Sequence, residues 1–256
     1  MNALKIIILG VTLCFTSTSN AQNAEEIIET YIENIGGQDA WGKINSMTVT
    51  GIGRQQGVDY PFVATFMKDG RTHIDVNIQG ASFIIEAFDG ETSWTMNFQT
   101  QQPEASDTES SINYKNDAKD NVPSAFYNYK AKGYTAELVG TEAFEGTECY
   151  KIKLIKTPVL VDGKEEENID IYYFDTENNV PIAMESIIKS GQAKGATAQS
   201  LFSDYQEVDG LYIAFSQIDK FNGQVGLTMT YKGISFNTEV DDAIFKMPAD
   251  SPVKKN

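Results

Sequence analysis

The chain has few of the side chains on which most catalytic chemistry depends. Histidine occurs once, at His73, and cysteine twice, at Cys14 and Cys149. A zinc site built on several imidazoles or thiolates is therefore excluded. A Ser-His-Asp arrangement would have to centre on His73, and no Gly-x-Ser-x-Gly elbow accompanies it. Arginine is confined to Arg54 and Arg71. Against 20 lysines and arginines stand 36 acidic residues, a formal charge of −16. Repulsion from phosphate backbones and anionic head groups argues against nucleic acid or a membrane surface as partner. After the first residues no apolar run approaches the length of a membrane span. No linker rich in Pro, Gly or Ser divides the chain, and no internal repeat appears.

Motif searches end in ordinary structure. Gly51-Ile-Gly53 lies inside a strand-like run with no helix after it, so it is no dinucleotide fingerprint. Ser186-Ile-Ile-Lys189 would bring its hydroxyl and amine together only on a helix, and this stretch alternates like a strand. Asp175-Thr-Glu-Asn-Asn179 lacks the glycine of a calcium loop, since Val180 takes that place, and reads as a turn. Glu165-Glu-Glu167 reads as a solvated hairpin tip. His73 shares a polar strand face with Arg71 and Asp75, opposite Ile74, Val76 and Ile78. Neither an enzyme nor a cofactor is expected.

What is present begins with residues 1–21. Lys5, an apolar run over residues 6–15 and Ser19-Asn20-Ala21 form the three parts of a secretory leader cleaved before Gln22. That run is too short to cross a bilayer. Cys14 follows Leu13 inside the apolar run, so no lipid anchor is expected. Residues 22–256 then form one periplasmic domain, with Cys149 as a buried apolar filler.

That domain opens with a helix. Asn23 and Glu26 form an N-terminal cap, Ile27, Ile28, Tyr31, Ile32 and Ile35 give one apolar stripe, and Gly36-Gly37 stops it. Residues 39–44 form a second turn delivering Trp41 to the core. From Ser46 the period changes to two. Strand-like runs cover 47–53, 60–68, 71–78, 82–88, 93–98, 134–139, 149–155, 169–174, 182–189, 197–205, 211–220 and 225–231. Turn pairs such as Gln79-Gly80, Asp209-Gly210 and Asn222-Gly223 separate them. The pattern predicts an antiparallel meander of roughly a dozen strands. Residues 99–132 break it with a polar excursion, a lid or binding loop, in which Ser106 and Glu109 are placed as a capping box.

Many strands carry bulk on both faces, as in Tyr60-Pro-Phe-Val-Ala-Thr-Phe-Met67, more than a sheet with one wet face needs. A curled sheet around a hollow accounts for the excess. Phe62, Phe66, Phe83, Ile85, Trp94, Met96, Phe98, Met184, Phe215 and Met229 are the candidate lining of an adaptable apolar pocket.

Several segments carry a family likeness: Tyr31-Ile-Glu-Asn-Ile-Gly-Gly37 with Trp41 and Ile44, Gly51, Pro61-Phe62, and Phe88-Asp-Gly90 with Trp94. It continues in Lys132-Gly133, Glu137-Leu-Val-Gly140, Tyr172-Tyr-Phe-Asp175, Pro181-Ile182, Met184-Glu185, Asp204-Tyr205, Val208-Asp-Gly210 and Phe245-Lys-Met-Pro248. Together they resemble the outer-membrane lipoprotein-sorting (LolA-like) superfamily, in particular its uncharacterised Bacteroidetes-type branch. The resemblance implies a mainly β fold: a strongly curved antiparallel sheet forming an unclosed barrel, covered by an N-terminal helix and a helical lid. It implies a concave face that holds lipid or lipoprotein acyl chains, with Arg54 or Arg71 as candidates for a polar clamp. The expected function is a monomeric periplasmic carrier in lipid or lipoprotein trafficking, with an envelope membrane protein as a further partner. The alternative is a non-enzymatic envelope scaffold with a filled core.

Overall fold

The computed structural model describes residues 23–248. The leader reading for residues 1–21 and the reading of Cys14 lie outside the described residues. Helix α1 (Ala24–Asn34) is closed at its start as its sequence requires. Asn23 Oδ1 accepts from the Glu26 amide at 3.0 Å, and Glu26 Oε2 accepts from the Asn23 amide at 3.4 Å. Its apolar stripe, Ile27, Ile28, Tyr31 and Ile32, is buried. Helix α2 (Gln38–Gly42) follows and delivers Trp41, whose indole N–H donates to the Ile35 carbonyl at 2.9 Å.

The strands are β1 (Ser46–Gln55), β2 (Val58–Met67), β3 (Thr72–Ile78), β4 (Ala81–Phe88), β5 (Ser93–Met96) and β6 (Pro103–Ala105). After helix α3 (Thr108–Asp117) and a 3₁₀ turn (Ala118–Asp120) come β7 (Thr135–Phe144), β8 (Thr147–Ile155), β9 (Val159–Val161) and β10 (Lys164–Glu166). The rest are β11 (Ile169–Asp175), β12 (Pro181–Ile187), β13 (Thr197–Val208), β14 (Leu211–Phe221) and β15 (Gln224–Phe236), with a 3₁₀ turn at Asp242–Phe245. Thirteen of them form one antiparallel sheet in the order β6-β5-β4-β3-β2-β1-β15-β14-β13-β12-β11-β8-β7. Its two edges, β6 and β7, do not meet, so the curved sheet stays an unclosed barrel. Neighbours in space are mostly neighbours in sequence because two-residue turns join them. Asp209-Gly210 and Asn222-Gly223 both place two successive residues at positive φ, the backbone twist a tight hairpin needs. Register shifts at Thr50/Gly51, Ile74/Asp75 and Asp219/Lys220 bend the strands that carry them.

The main core lies on one face of the sheet. There α1, α2 and residues 122–134 pack Tyr31, Trp41 and Phe126 against Ile152, Leu154, Phe174 and Leu211. Tyr134 belongs to this core as well. Part of the apolar bulk on the strands is used on the other face. Cys149, Tyr173 and Ala183 form a small cluster there, with Phe144 stacked on Tyr173 at 4.4 Å. Val63, Ile187, Phe221 and Val225 are simply exposed. Two-faced bulk therefore does not translate wholly into an interior hollow.

Two local expectations shift. The N-cap of α3 is Asp107, not Ser106; its side chain accepts from the Ser110 amide at 2.7 Å. Glu109 instead accepts from the amides of Asp162 and Gly163, at 3.0 and 2.7 Å. It thereby holds the β9–β10 hairpin, whose tip is Asp162-Gly163. Glu165 and Glu166 are strand residues of β10, so the tip lies earlier than the acidic run.

Burial of tyrosines sets an alkaline limit on stability. Desolvation pushes Tyr31 up to about 12, and Tyr172 and Tyr205 well above the ordinary value. Groups whose folded pKa is raised contribute stability that is complete below the unfolded pKa, about 10, and is lost as pH climbs toward the folded value. The urea midpoint should hold between neutral pH and about 9.5 and fall steeply above about 10, followed by circular dichroism. An unchanged midpoint through that upper range would show these hydroxyls to be solvated.

Candidate functional site

Alternation along β1, β2, β3 and β15 sends every second side chain to the concave face. Val49, Phe62, Ala64, Phe66, Val76, Ile78, Leu227 and Met229 thereby make one apolar wall. Tyr114 and Asp117 of α3, with Ala118 and Asn121 after it, form the opposite side. The space between is a groove of about 840 Å³. A second hollow of about 440 Å³ lies under residues 120–126 and α2. Val49, Phe66, Asn121, Gln217 and Tyr231 line both, so the two adjoin.

Gly51 shapes the wall. It faces Phe62 across the β1–β2 ladder, and a Cβ there would lie 2.7 Å from the Phe62 ring and from the Thr230 carbonyl oxygen. Lacking one, Gly51 lets the ring lie along the strand, edge-on to Tyr231 at 6.1 Å. An aromatic beside a strand glycine is a recurrent way to cover exposed backbone.

The charged groups of the groove are acidic. Glu86 is half-buried and accepts from the Tyr114 hydroxyl at 2.6 Å. Burial raises the Glu86 carboxyl above the usual range, and the Tyr114 bond only partly offsets that. Asp219 accepts from Ser200 Oγ at 2.7 Å and Gln217 Nε2 at 2.9 Å. At the second hollow Lys156 Nζ sits 3.1 Å from Asp170, 3.2 Å from Asp117 and 3.4 Å from Asp120. Burial works to deprotonate that ammonium, but Asp170 and Asp117 outweigh it and its pKa is raised. Lys132 joins at 2.9 Å from Asp120. Among the described residues no group of three or more His, Cys, Asp or Glu is placed to hold a metal ion.

The structure divides the residues singled out from the sequence. Phe62, Phe66, Ile85, Phe98 and Met229 line the main groove, and Met184 lines the second hollow. Phe83 lies 5.6 Å from Phe98, outside the lining. Met96 sits on β5 beside Pro103. Trp94 and Phe215 are buried in packing; the Trp94 indole N–H donates to the Phe245 carbonyl at 2.8 Å. Neither arginine lines the groove or the hollow. Arg54 grips Asp59 across an exposed hairpin at 2.6 Å. Arg71 is held by Asp69 and Asp242, at 2.9 and 2.7 Å, and lies 5.0 Å over the Phe245 ring. Lining residues that sequence reading missed include Val76, Ile78 and Leu227, which strict alternation would have found. Glu86, Tyr114, Asn121, Gln217 and Asp219 carried no such signal.

No family model matches the sequence, and no curated protein matches it. Solved structures do match. A LolA superfamily protein from Nitrosomonas europaea superposes with a TM-score of 0.54 at 13% identity, over 88% of this chain and 98% of that one. A DUF1329 family protein from Desulfovibrio piger gives a TM-score of 0.49 at 10% identity, over 87% and 97%. A domain assigned to outer membrane lipoprotein sorting, from Vibrio parahaemolyticus, gives 0.47 at 11% identity, over 85% and 97%. The chain shares the fold of that Nitrosomonas europaea protein, the curved unclosed sheet that the resemblance implied. Among the described residues no helix is long and apolar enough to cross a membrane.

Proposed function

We propose that this protein is a carrier of the bacterial cell envelope, holding the hydrocarbon chain of a lipid or lipoprotein in the groove on the concave face. The single observation that carries the reading is an apolar groove of about 840 Å³ open along one side, within the range of ligand clefts, about 300–1,000 Å³. Each methylene moved from water into such a site contributes about 0.8 kcal/mol, so a chain is retained without covalent chemistry. Its LolA-type fold and the leader-like residues 1–21 support a periplasmic setting.

Residues 99–132 serve as the cover in this reading. Helix α3 buries one residue, Ser111. It is held by directed polar bonds: Glu109 to the β9–β10 hairpin, Asn113 to both backbone groups of Leu160, and Tyr114 to Glu86. Helix α3, fastened this way, can lift while residues 122–134 stay packed in the main core, and the polar bonds re-form with water.

Mass spectrometry of an organic extract of the purified mature protein should find lipid at about one per chain. A neutral phenylnaphthylamine probe should bind the delipidated protein. Met229→Asp and Ile85→Asp, both on the groove wall, should keep the native circular dichroism and weaken the probe about tenfold or more. A clean extract together with no probe uptake would favour an envelope scaffold instead.

A further inference from the structure

If the groove is a lipid site, its charge states which lipid. The described side chains lining it include three carboxylates, Glu86, Asp117 and Asp219, and no lysine, arginine or histidine. Lys156 is shared by Asp117, Asp120 and Asp170 in the adjoining hollow, and Arg54 and Arg71 are paired outside it. A fatty acid or an anionic phospholipid would therefore bring its negative head against Glu86 and Asp219, neither of which is in an ion pair among the described residues, in a chain of net charge −16.

A positive head meets the opposite situation. In Glu86 the Oε1 atom takes the Tyr114 hydroxyl, and Oε2 has no hydrogen-bond donor among the described residues. In Asp219 the Oδ1 atom takes both Ser200 and Gln217, and Oδ2 is likewise without a donor among them. Each carboxylate is thus oriented by its neighbours with one oxygen left to accept from a ligand. An ammonium offers the N–H donors that fit, and charge-assisted bonds of this kind are among the stronger ones. We infer that the groove selects amphiphiles with a cationic, amine-bearing headgroup over anionic ones, with Glu86 and Asp219 as the recognising side chains. Partial burial of Glu86 adds to this, since a carboxylate held short of solvent gains more from a counter-charge.

The inference rests on the groove being a lipid site, and one experiment separates the two. Three single-chain amphiphiles of equal chain length, ending in an amine, a hydroxyl and a carboxylate, compete with the neutral probe at neutral pH below their micelle concentrations. The amine should displace it at about tenfold lower concentration than the alcohol, and the carboxylate should be weakest. In Glu86→Gln/Asp219→Asn the ratio of amine to alcohol affinity should fall to about one, whereas in Glu91→Gln/Glu165→Gln, with both changes on exposed residues, it should stay near tenfold. Equal or reversed ranking in the native protein overturns the headgroup inference, and so does a surface pair that erases the ratio as well as the groove pair does. Failure of all three chains to displace the probe overturns the lipid site itself.

Discussion

Lys156→Met is expected to lower the unfolding free energy by about 3–5 kcal/mol, the range for stranding one partner of a buried ion pair. The Lys156 side chain is 10% exposed and that of Asp170 is 7% exposed, with 3.1 Å between their charged atoms. Asp170 is on β11, whereas Asp117 and Asp120 belong to the covering segment, so this ammonium ties the cover to the sheet. Methionine keeps the apolar stem and removes the charge, leaving Asp170 buried without compensation. The double variant Lys156→Met/Asp170→Leu should recover much of the loss, because replacing both members by apolar groups is often close to neutral. Urea titrations at neutral pH measure both. A loss under about 1 kcal/mol in the single variant would mean that water screens the cluster as it does at a surface. Looser attachment of the cover should also speed release of the neutral probe.

Phe126→Ala should cost about 3–5 kcal/mol, as for large aromatic truncations in well-packed cores. The ring is 2% exposed. It meets Tyr31 of α1 at 6.0 Å, Tyr172 at 4.6 Å and Phe174 at 5.2 Å. Three layers therefore converge on one side chain: the first helix, the covering segment and β11. Phe126→Leu keeps most of the volume and should cost less than about 1.5 kcal/mol. Chemical denaturation of the two variants checks the ordering. Equal, small losses would show that the surroundings collapse onto the space and that the segment is not anchored there.

These two residues mark where the sequence could and could not be read. Asn23 and Glu26 announce α1 because a capping box is closed by residues three apart. Asn222-Gly223 announces a hairpin for the same local reason. Strand β6 gave no signal and the hairpin β9–β10 only a misplaced tip at Glu165-Glu-Glu167, since three residues show no period and both depend on what they dock against. Glu109 looks like half of a capping box in sequence, yet it is used by a hairpin 53 residues away. Trp94 and Met229 read alike on strand-like runs. One is core because the Phe245 turn, 151 residues distant, closes over it, and the other is left facing the groove.

The local order along this chain, alternation, turn pairs and a capped first helix, was enough to determine an antiparallel meander and most of its hairpins. Those features depend on contacts within a few residues, where backbone sterics and hydrogen bonding leave little choice. Only the tertiary structure decided which part of the concave face is filled by helix and which is left hollow, and that the hollow is acidic. Neither arginine reaches it, because Asp59 and Asp242 hold them elsewhere. Glu86, Tyr114 and Asp219 line one groove through the curl of the sheet and the docking of α3, and no short-range rule encodes either.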